Sequence, residues 1–480
     1  MREKKPKPFP HEASVWRSDD GGETWAKTSP LPDFHRLSDG SEPMDAWGRS
    51  CVAADPSDPD TVWCGGIWFK QGLCVSRDGG RSWKVAVDKL PCGWIDEFWR
   101  SPAVSLAVAR ANPRTVAFGT SSGIYRTEDG GATWKQCYTA ERRSGEAIAG
   151  TGLDVLCVSE IVPDRFAKDR WFAAFYDVGL MVTEDAGRSW KRCMDGIPKS
   201  HAGICSTVAQ SPTESNLCWG VFGTWGGGGR GLPARSTDGG RTWTLVKNPR
   251  GWTEGHAKNM QVLSSAAPYA LAVAHAKKGL VTSCDGGGSW TDMPTNALPC
   301  ARRVVSLAAA DGAIYAGTAS NGAMPPQVWR SADKGRTWNC IFAPSASEAD
   351  GSVEDIAVSD RRIAVVVKCI GNRGGCWLSE DGGAAWRRIY HEKPWNDLNA
   401  VAFCGGRLFM ASRNARWHDD GFGGKGLLSI GLGTGSQDGW KRHVAGGFDR
   451  PEIMCLVTDP FDDRRLLVGT WGNSMSVFLL

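Results

Sequence analysis

The sequence predicts an all-β protein, a single β-propeller of four-stranded antiparallel blades. Three observations support this prediction: one eight-residue motif occurs eight times, its copies are evenly spaced, and strand-like runs recur in the same order between them. Successive motif aspartates are 58, 51, 56, 53, 47, 48 and 48 residues apart. Four antiparallel strands for every ~50 residues is the period of a propeller blade.

The motif, which we call the box, reads Ser/Thr-x-Asp-x-Gly-x-Ser/Thr-Trp. Asp and Gly favour a tight turn, because the carboxylate accepts backbone N–H groups and glycine adopts a positive φ at low cost. We therefore predict that each box is a hairpin turn between the third and fourth strands, and that its aspartate is structural. The copies begin at Ser18, Ser76, Thr127, Thr183, Ser236, Ser283, Ser331 and Ser379, with a decayed ninth copy in residues 429–440.

Each period also contains an apolar first strand and a short second strand that often ends in Gly-Thr. The last first strand has no box after it, whereas the first box has no such strands before it. We therefore expect residues 15–27 to complete the last blade and close one ring of nine blades, with eight or seven as alternatives. Ring closure removes exposed sheet edges. The nine first strands begin near Cys51, Ser105, Leu156, Ser206, Gln261, Val304, Val353, Leu398 and Met454.

The composition of the chain argues against some classes of binding partner. The net charge of +4 is too small to indicate nucleic acid, and no run of 18 apolar residues predicts a membrane span. The basic start MREKKPKPFP lacks the apolar segment of a signal peptide. This predicts a cytoplasmic location as written, and a secreted or periplasmic one if a signal was removed. We expect one monomeric domain over residues 1–480, with 1–14 as a flexible extension.

The 16 cysteines show no zinc-like spacing. Many lie in apolar strand-like runs, which favours reduced, buried thiols over a disulfide framework. Cys369 and Cys376 are the one pair placed for a local bridge. No metal and no cofactor is expected.

The boxes and their spacing resemble the Asp-box (BNR) propellers, a group that includes sialidases, glycoside hydrolases of family 74, sortilin-type (VPS10) receptors and photosystem assembly factors. The runs DPSDPDTVWCGG and VSRDGGRSW most resemble the family 74 and sortilin branch. This resemblance covers nearly the whole chain and implies the propeller fold. It says less about function, because one fold hosts many kinds of site.

One local match concerns catalysis. Family 74 enzymes carry catalytic aspartates in an Asp-Val/Ile-Gly-Gly turn after the second strand of a blade. In FAAFYDVGLMVTEDAG the corresponding residues are Asp177, Val178 and Gly179, with Leu180 in place of the second glycine. The resemblance implies that Asp177 is a catalytic carboxylate. The family uses two such aspartates, one in each of two propellers, so the partner of Asp177 stays open.

Loops on the face opposite the boxes are the expected place for a pocket. Glycoside hydrolysis needs a second carboxyl group, for which the loops offer Glu254, Asp96, Glu97 and Asp45. Aromatic rings can stack on a pyranose while arginines bind its polar groups. The candidate substrate-binding residues are Tyr176, Trp47, Trp94, Trp99, Arg100, Trp225, Arg230, Trp252, His256, Arg416, Trp417 and Trp471.

The sequence therefore predicts a carbohydrate-active enzyme, with a glycoside hydrolase acting on a poly- or oligosaccharide as the leading hypothesis. One alternative is a non-catalytic propeller that binds a protein, peptide or glycan. A second is a polysaccharide lyase that uses Tyr176 or His256 as base and arginines to hold a uronate.

Overall fold

A computed structural model describes most of the chain, and its described part divides into two compact units. The smaller unit comprises residues 1–141 and 148–155, and the larger one residues 142–147 and 156–480. None of the helices in the described part is long and apolar enough to cross a membrane. The described residues are 15–28, 50–66, 73–87, 103–120, 123–142, 145–152, 156–224, 231–246, 250–252, 255–345, 350–369, 373–391, 397–412, 426–432, 439–443 and 452–480.

The smaller unit contains a short hairpin and two four-stranded antiparallel sheets. The hairpin is β1 (Trp16–Arg17) with β2 (Ala26–Lys27), and the first box forms its turn. The sheets are β3 (Ser50–Asp55), β4 (Asp58–Gly66), β5 (Leu73–Ser76) and β6 (Lys84–Val87), then β7 (Ser105–Val108), β8 (Val116–Gly119), β9 (Ile124–Thr127) and β10 (Lys135–Gln136). A further pair is β11 (Thr139–Arg142) and β12 (Ala147–Gly150).

The larger unit contains seven successive sets of antiparallel strands, called sheets below; one parallel pair, Gly179 with Ile204, joins the first two into an eight-stranded sheet. The first four are β13 (Val158–Pro163), β14 (Trp171–Phe175), β15 (Gly179–Thr183) and β16 (Lys191–Arg192); β17 (Ile204–Gln210), β18 (Cys218–Gly223), β19 (Leu232–Ser236) and β20 (Thr244–Leu245); β21 (Ala257–Val262), β22 (Leu271–His275), β23 (Gly279–Ser283) and β24 (Thr291–Asp292); and β25 (Val304–Ala310), β26 (Ala313–Thr318), β27 (Val328–Ser331) and β28 (Asn339–Phe342).

The remaining three sheets follow in the same strand order, except that the last has three strands in the described residues. They are β29 (Ser352–Ser359), β30 (Arg362–Lys368), β31 (Gly375–Ser379) and β32 (Arg387–Tyr390); β33 (Leu398–Cys404), β34 (Arg407–Ser412), β35 (Gly426–Gly431) and β36 (Lys441–His443); and β37 (Ile453–Asp459), β38 (Asp462–Thr470) and β39 (Met475–Leu479). Two short 3-10 turns, Lys199–His201 and Ala301–Arg303, complete the regular structure. The predicted all-β fold with four-stranded antiparallel blades is confirmed.

The last sheet of the larger unit joins the first. Cys157 forms an antiparallel bridge with Trp471, and the backbone N–H groups of Gly472 and Ser474 donate to the Leu156 carbonyl at 2.9 and 3.0 Å. Each first strand packs beside the next one, and β37 packs beside β13. The seven sheets of this unit therefore form a closed series.

The predicted closure of the whole ring involves residues 15–27, which belong to the smaller unit, where β1 pairs with β2. That closure stays a prediction. The blade number of the whole chain stays a prediction.

The boxes fold as the predicted hairpin turns. In the second box the Ser76 hydroxyl donates to Asp78 at 2.7 Å and accepts the Gly80 N–H at 2.8 Å. Asp78 also accepts the Ser82 N–H at 2.8 Å. The carboxylate is thus fully engaged by its own turn, and these bonds hold the pKa of Asp78 below its usual value. This geometry supports the structural role predicted for the box aspartates.

A β-bulge interrupts every first strand of the larger unit. In β13 the register shifts between Val158 and Glu160, and in β29 between Val353 and Asp355. Both carboxylates come directly after a bulge, which re-aims side chains relative to the regular alternation. Each bulge therefore allows a polar side chain on a first strand, next to apolar residues of the same strand.

All fifteen cysteines in the described residues are free thiols. Cys369 and Cys376 are both buried and both free, so the local bridge considered for this pair is not formed. Burial raises the pKa of the Cys376 thiol, as expected for a small core residue.

Candidate functional site

Asp177 lies in the turn between β14 and β15, the second and third strands of the first sheet in the larger unit. Its Oδ2 accepts the backbone N–H of Cys157 at 2.6 Å. Gly179 ends the turn at φ 81°, a conformation that residues with a Cβ rarely adopt. The turn therefore fixes the carboxylate at the end of the hairpin opposite the box.

Three other predicted site residues gather beside this aspartate. The Tyr176 ring lies 6.3 Å from the His256 ring in an edge-to-face arrangement and 5.7 Å from the Trp471 ring, measured between centroids. Trp471 is 37% exposed, which leaves part of its indole available to solvent. Tyr176, Asp177, His256 and Trp471 come from three different sheets, and together they form a site that the sequence separates by almost 300 residues.

Burial controls the titration of two members of this group. Desolvation, with a smaller contribution from the negative charge of Glu160, raises the pKa of Tyr176 to about 12. Desolvation also lowers the pKa of His256 below its ordinary 6.5, and its Nδ1 is buried with no hydrogen-bond partner in the described residues. At neutral pH the site therefore holds a protonated phenol and a neutral imidazole.

Two partly buried carboxylates on first strands were missed by the sequence analysis. Glu160 Oε2 accepts the Thr207 hydroxyl at 2.7 Å and the Val208 N–H at 3.1 Å, and burial raises its pKa to about 7. Asp355 Oδ2 accepts the Val401 N–H at 3.0 Å, and burial raises its pKa to about 6. Each carboxylate thus links one sheet to the next. An acidic residue within a mostly apolar first strand was the available signal, although β29 carries two adjacent acidic residues, Glu354 and Asp355.

Glu452 and Cys157 were also missed. The Trp471 N–H donates to the Glu452 carbonyl at 2.7 Å, and Trp471 is bridged in turn to Cys157. After burial, the negative charges that raise the pKa of the Cys157 thiol include Asp177 and Glu452. Glu452 directly precedes the first strand β37, as His256 precedes β21, and this shared position could have identified it.

Trp252 packs against a different set of aromatic residues from those beside Asp177. Its ring packs edge-to-face against His275 and Trp290, with centroids 5.0 and 4.9 Å away, and its Nε1 donates to the Gly231 carbonyl at 2.8 Å. These contacts explain Trp252 as a packing residue. Its predicted role in substrate binding stays a prediction.

The other predicted residues lie outside the described part of the chain. They are Asp45, Trp47, Trp94, Asp96, Glu97, Trp99, Arg100, Trp225, Arg230, Glu254, Arg416 and Trp417. Within the described residues no group of three or more His, Cys, Asp or Glu side chains is placed to hold a metal ion.

No protein-family model matches the chain. A xyloglucanase from a Paenibacillus species is 25% identical over 304 residues, which cover 62% of this chain and 25% of the relative. The chain thus spans a quarter of the length of that curated relative.

Two solved structures are similar along much of the chain. The GH74 xyloglucanase from Xanthomonas campestris gives a TM-score of 0.58 at 17% identity, covering 97% of this chain and 62% of that one. YCF48 bound to D1 peptide gives a TM-score of 0.47 at 13% identity, covering 68% of this chain and 92% of that one. The chain therefore shares the β-propeller fold of the GH74 xyloglucanases.

Proposed function

We propose that this protein is a glycoside hydrolase of poly- or oligosaccharides and that Asp177 is one of its two working carboxylates. The observation that carries the proposal is the position of Asp177, anchored by the Cys157 N–H at the end of a hairpin and beside the partly exposed Trp471. A carboxylate held in place next to an accessible aromatic ring supplies one of the two carboxyl groups that glycoside hydrolysis needs and a face on which a sugar can stack.

The chemistry of the site fits a neutral sugar. An N–H donor at 2.6 Å stabilises the ionised form of Asp177 and holds its carboxylate in place. Trp471 offers an apolar face for a pyranose ring, and the protonated Tyr176 hydroxyl offers a donor. Xyloglucan is the first polysaccharide to test, since the curated relative is named for its cleavage.

The lyase alternative is less well supported. A lyase base must lose its proton near neutral pH to abstract one from carbon. The pKa of Tyr176, raised to about 12, leaves that hydroxyl protonated, so only the neutral imidazole of His256 could be the base. The arginines suggested for uronate binding lie outside the described residues. A non-catalytic glycan binder is the second candidate, and it is favoured by the hydrogen bond that already engages Asp177.

The test is turnover by the whole chain and by Asp177→Asn. New reducing ends are measured on xyloglucan and other neutral glycans, and absorbance of unsaturated uronate on acidic ones. We expect cleavage of a neutral glycan, and a loss of at least ~10²-fold in Asp177→Asn. The matched control is Asp311→Asn, at an exposed turn between β25 and β26.

Full activity in Asp177→Asn would rule out this site. Glycan binding by the wild-type protein without any turnover would instead support the binder. Release of unsaturated uronate would support the lyase.

A further inference from the structure

We infer that Arg192 is a positioning residue for Asp177, because its guanidinium connects the turn that carries this carboxylate to the loop leading into the next sheet. The inference rests on the proposed function and adds to it a residue that acts through Asp177 and not on the substrate itself. Arg192 is the last residue of β16, the fourth strand of the first sheet in the larger unit, and it is partly exposed.

Two hydrogen bonds from the Arg192 side chain join two different loops. Its Nε donates to the Val178 carbonyl at 2.8 Å, and its Nη2 donates to the Ala202 carbonyl at 2.8 Å. Val178 directly follows Asp177, whereas Ala202 lies in the connection between β16 and β17. Because a guanidinium is planar and holds its N–H donors in a fixed arrangement, it keeps the two carbonyls at a fixed separation.

The same turn is held from its other side by the residue that precedes β13. The Cys157 N–H donates to Asp177 Oδ2 at 2.6 Å, and the Tyr176 N–H donates to the Cys157 carbonyl at 2.9 Å. The carboxylate is therefore restrained through its own oxygen from the β13 side of the sheet. The backbone that follows it is restrained by Arg192 from the β16 side.

The hairpin of β14 and β15 has other contacts that do not involve Arg192. The two strands pair at five positions. Gly179 also forms a parallel bridge with Ile204, and the Leu180 N–H donates to Met194 Sδ at 3.1 Å. Loss of the arginine should therefore change where the carboxylate lies more than whether the sheet folds.

A small displacement of this carboxylate is enough to slow the reaction. Misplacing a reacting group by about 1 Å can cost ~10²-fold in rate. Binding of the sugar depends on other groups, which include the exposed face of Trp471. We therefore expect Arg192 to affect kcat and to leave KM nearly unchanged.

The experiment measures kcat and KM for Arg192→Met on a xyloglucan oligosaccharide, beside the wild-type protein and Asp177→Asn. We expect kcat to fall about 10- to 10²-fold while KM changes less than about 3-fold. Arg192→Lys keeps the charge and a donor but lacks the planar pair of N–H groups, so it should recover only part of kcat. Millimolar guanidinium added to Arg192→Ala should also recover part of kcat, because the free ion can take the place of the missing head group.

Arg188→Met is the matched control, since Arg188 is an exposed box residue between β15 and β16 and its replacement should change neither constant. Thermal denaturation shows whether each variant is folded. If Arg192→Met is not, Arg192→Lys is measured in its place, and a wild-type kcat in that variant would overturn the inference.

Three outcomes separate this inference from the proposed function. Wild-type kcat in Arg192→Met, together with an inactive Asp177→Asn, would overturn the role of Arg192 and leave the proposed function standing. A rise in KM at unchanged kcat would also overturn it, because Arg192 would then contact the substrate. Full activity in Asp177→Asn would overturn the proposed function itself.

Discussion

Arg465 donates a hydrogen bond to Asp169 at 2.5 Å, across 296 residues of sequence. The same guanidinium nitrogen lies 3.0 Å from Oδ2 of Asp459, whose side chain is fully buried, and the Arg465 head group lies over the Trp171 ring at 5.7 Å. Asp169 and Trp171 belong to the first sheet region of the larger unit, and Asp459 and Arg465 to the last. This arginine therefore stabilises the contact between the first and last sheets of the larger unit.

Replacing Arg465 by methionine should destabilise the contact between the first and last sheets. The change leaves Asp459 buried without its cation, which costs about 2–4 kcal/mol of the free energy of unfolding. Urea denaturation followed by tryptophan fluorescence measures the loss. Arg464→Met is the matched control, because Arg464 is exposed and its side chain makes no recorded ion pair in the described residues. Equal stability of the two variants would contradict the role given to Arg465.

The join also shows what the sequence could and could not predict. The boxes, their turns and the order of strands follow from local chemistry, so eight copies of one motif were enough to predict them. Which sheet closes on which depends on contacts between distant residues such as Cys157 and Trp471. No local pattern encodes that pairing, and the expectation that residues 15–27 complete the last blade stays a prediction for the same reason.

Some features of the candidate site could likewise be predicted from the sequence and others could not. Asp177 could be predicted because its turn resembles a known one, and Tyr176, His256 and Trp471 because each lies at the end of a strand. The contact of Trp471 with Cys157 could not, since it is a backbone bridge between the first and last sheets. The remaining predicted carboxylates and aromatic residues stay predictions.

Because of Glu160, the free energy of unfolding should decrease as the pH rises. Its folded pKa, about 7, lies above the ordinary value of 4.5, so the folded protein holds a proton that the unfolded chain releases. The resulting stabilisation is complete below pH 4.5 and is lost as the pH rises through 7. Each unit of pKa difference corresponds to about 1.4 kcal/mol. Denaturation at several pH values between 4.5 and 8 measures the slope.

Glu160→Gln tests the origin of that slope. The amide oxygen of glutamine can still accept the hydrogen bonds from Thr207 and Val208, but it does not titrate. We expect a shallower slope than in the wild-type protein, with the remainder coming from Asp355, whose pKa is raised in the same direction. Glu128→Gln, at an exposed box position, should keep the wild-type slope. An unchanged slope in Glu160→Gln would show that another group titrates.

Gly179→Ala should destabilise the turn that carries Asp177. A Cβ at this position would collide with the Met194 side chain, and φ is 81°. Together these effects should cost about 2–4 kcal/mol. Gly312→Ala is the control for the backbone alone, because its φ is 74° and nothing lies within 4 Å of its Cβ position. A difference between the two melting temperatures isolates the collision with Met194, and equal values would contradict it.

Trp471→Ala should weaken substrate binding more than it slows the chemical step. The exposed part of the indole offers a stacking face, and loss of such a face costs about 1–2 kcal/mol, or roughly 5- to 30-fold in KM. Trp471→Phe keeps an aromatic face and should recover most of the affinity. Trp16→Ala removes an indole that is 55% exposed in the smaller unit and should leave KM unchanged. Steady-state kinetics on xyloglucan oligosaccharides separate KM from kcat. A fall in kcat alone, at constant KM, would show that Trp471 positions Asp177 through the Cys157 bridge and does not bind the sugar.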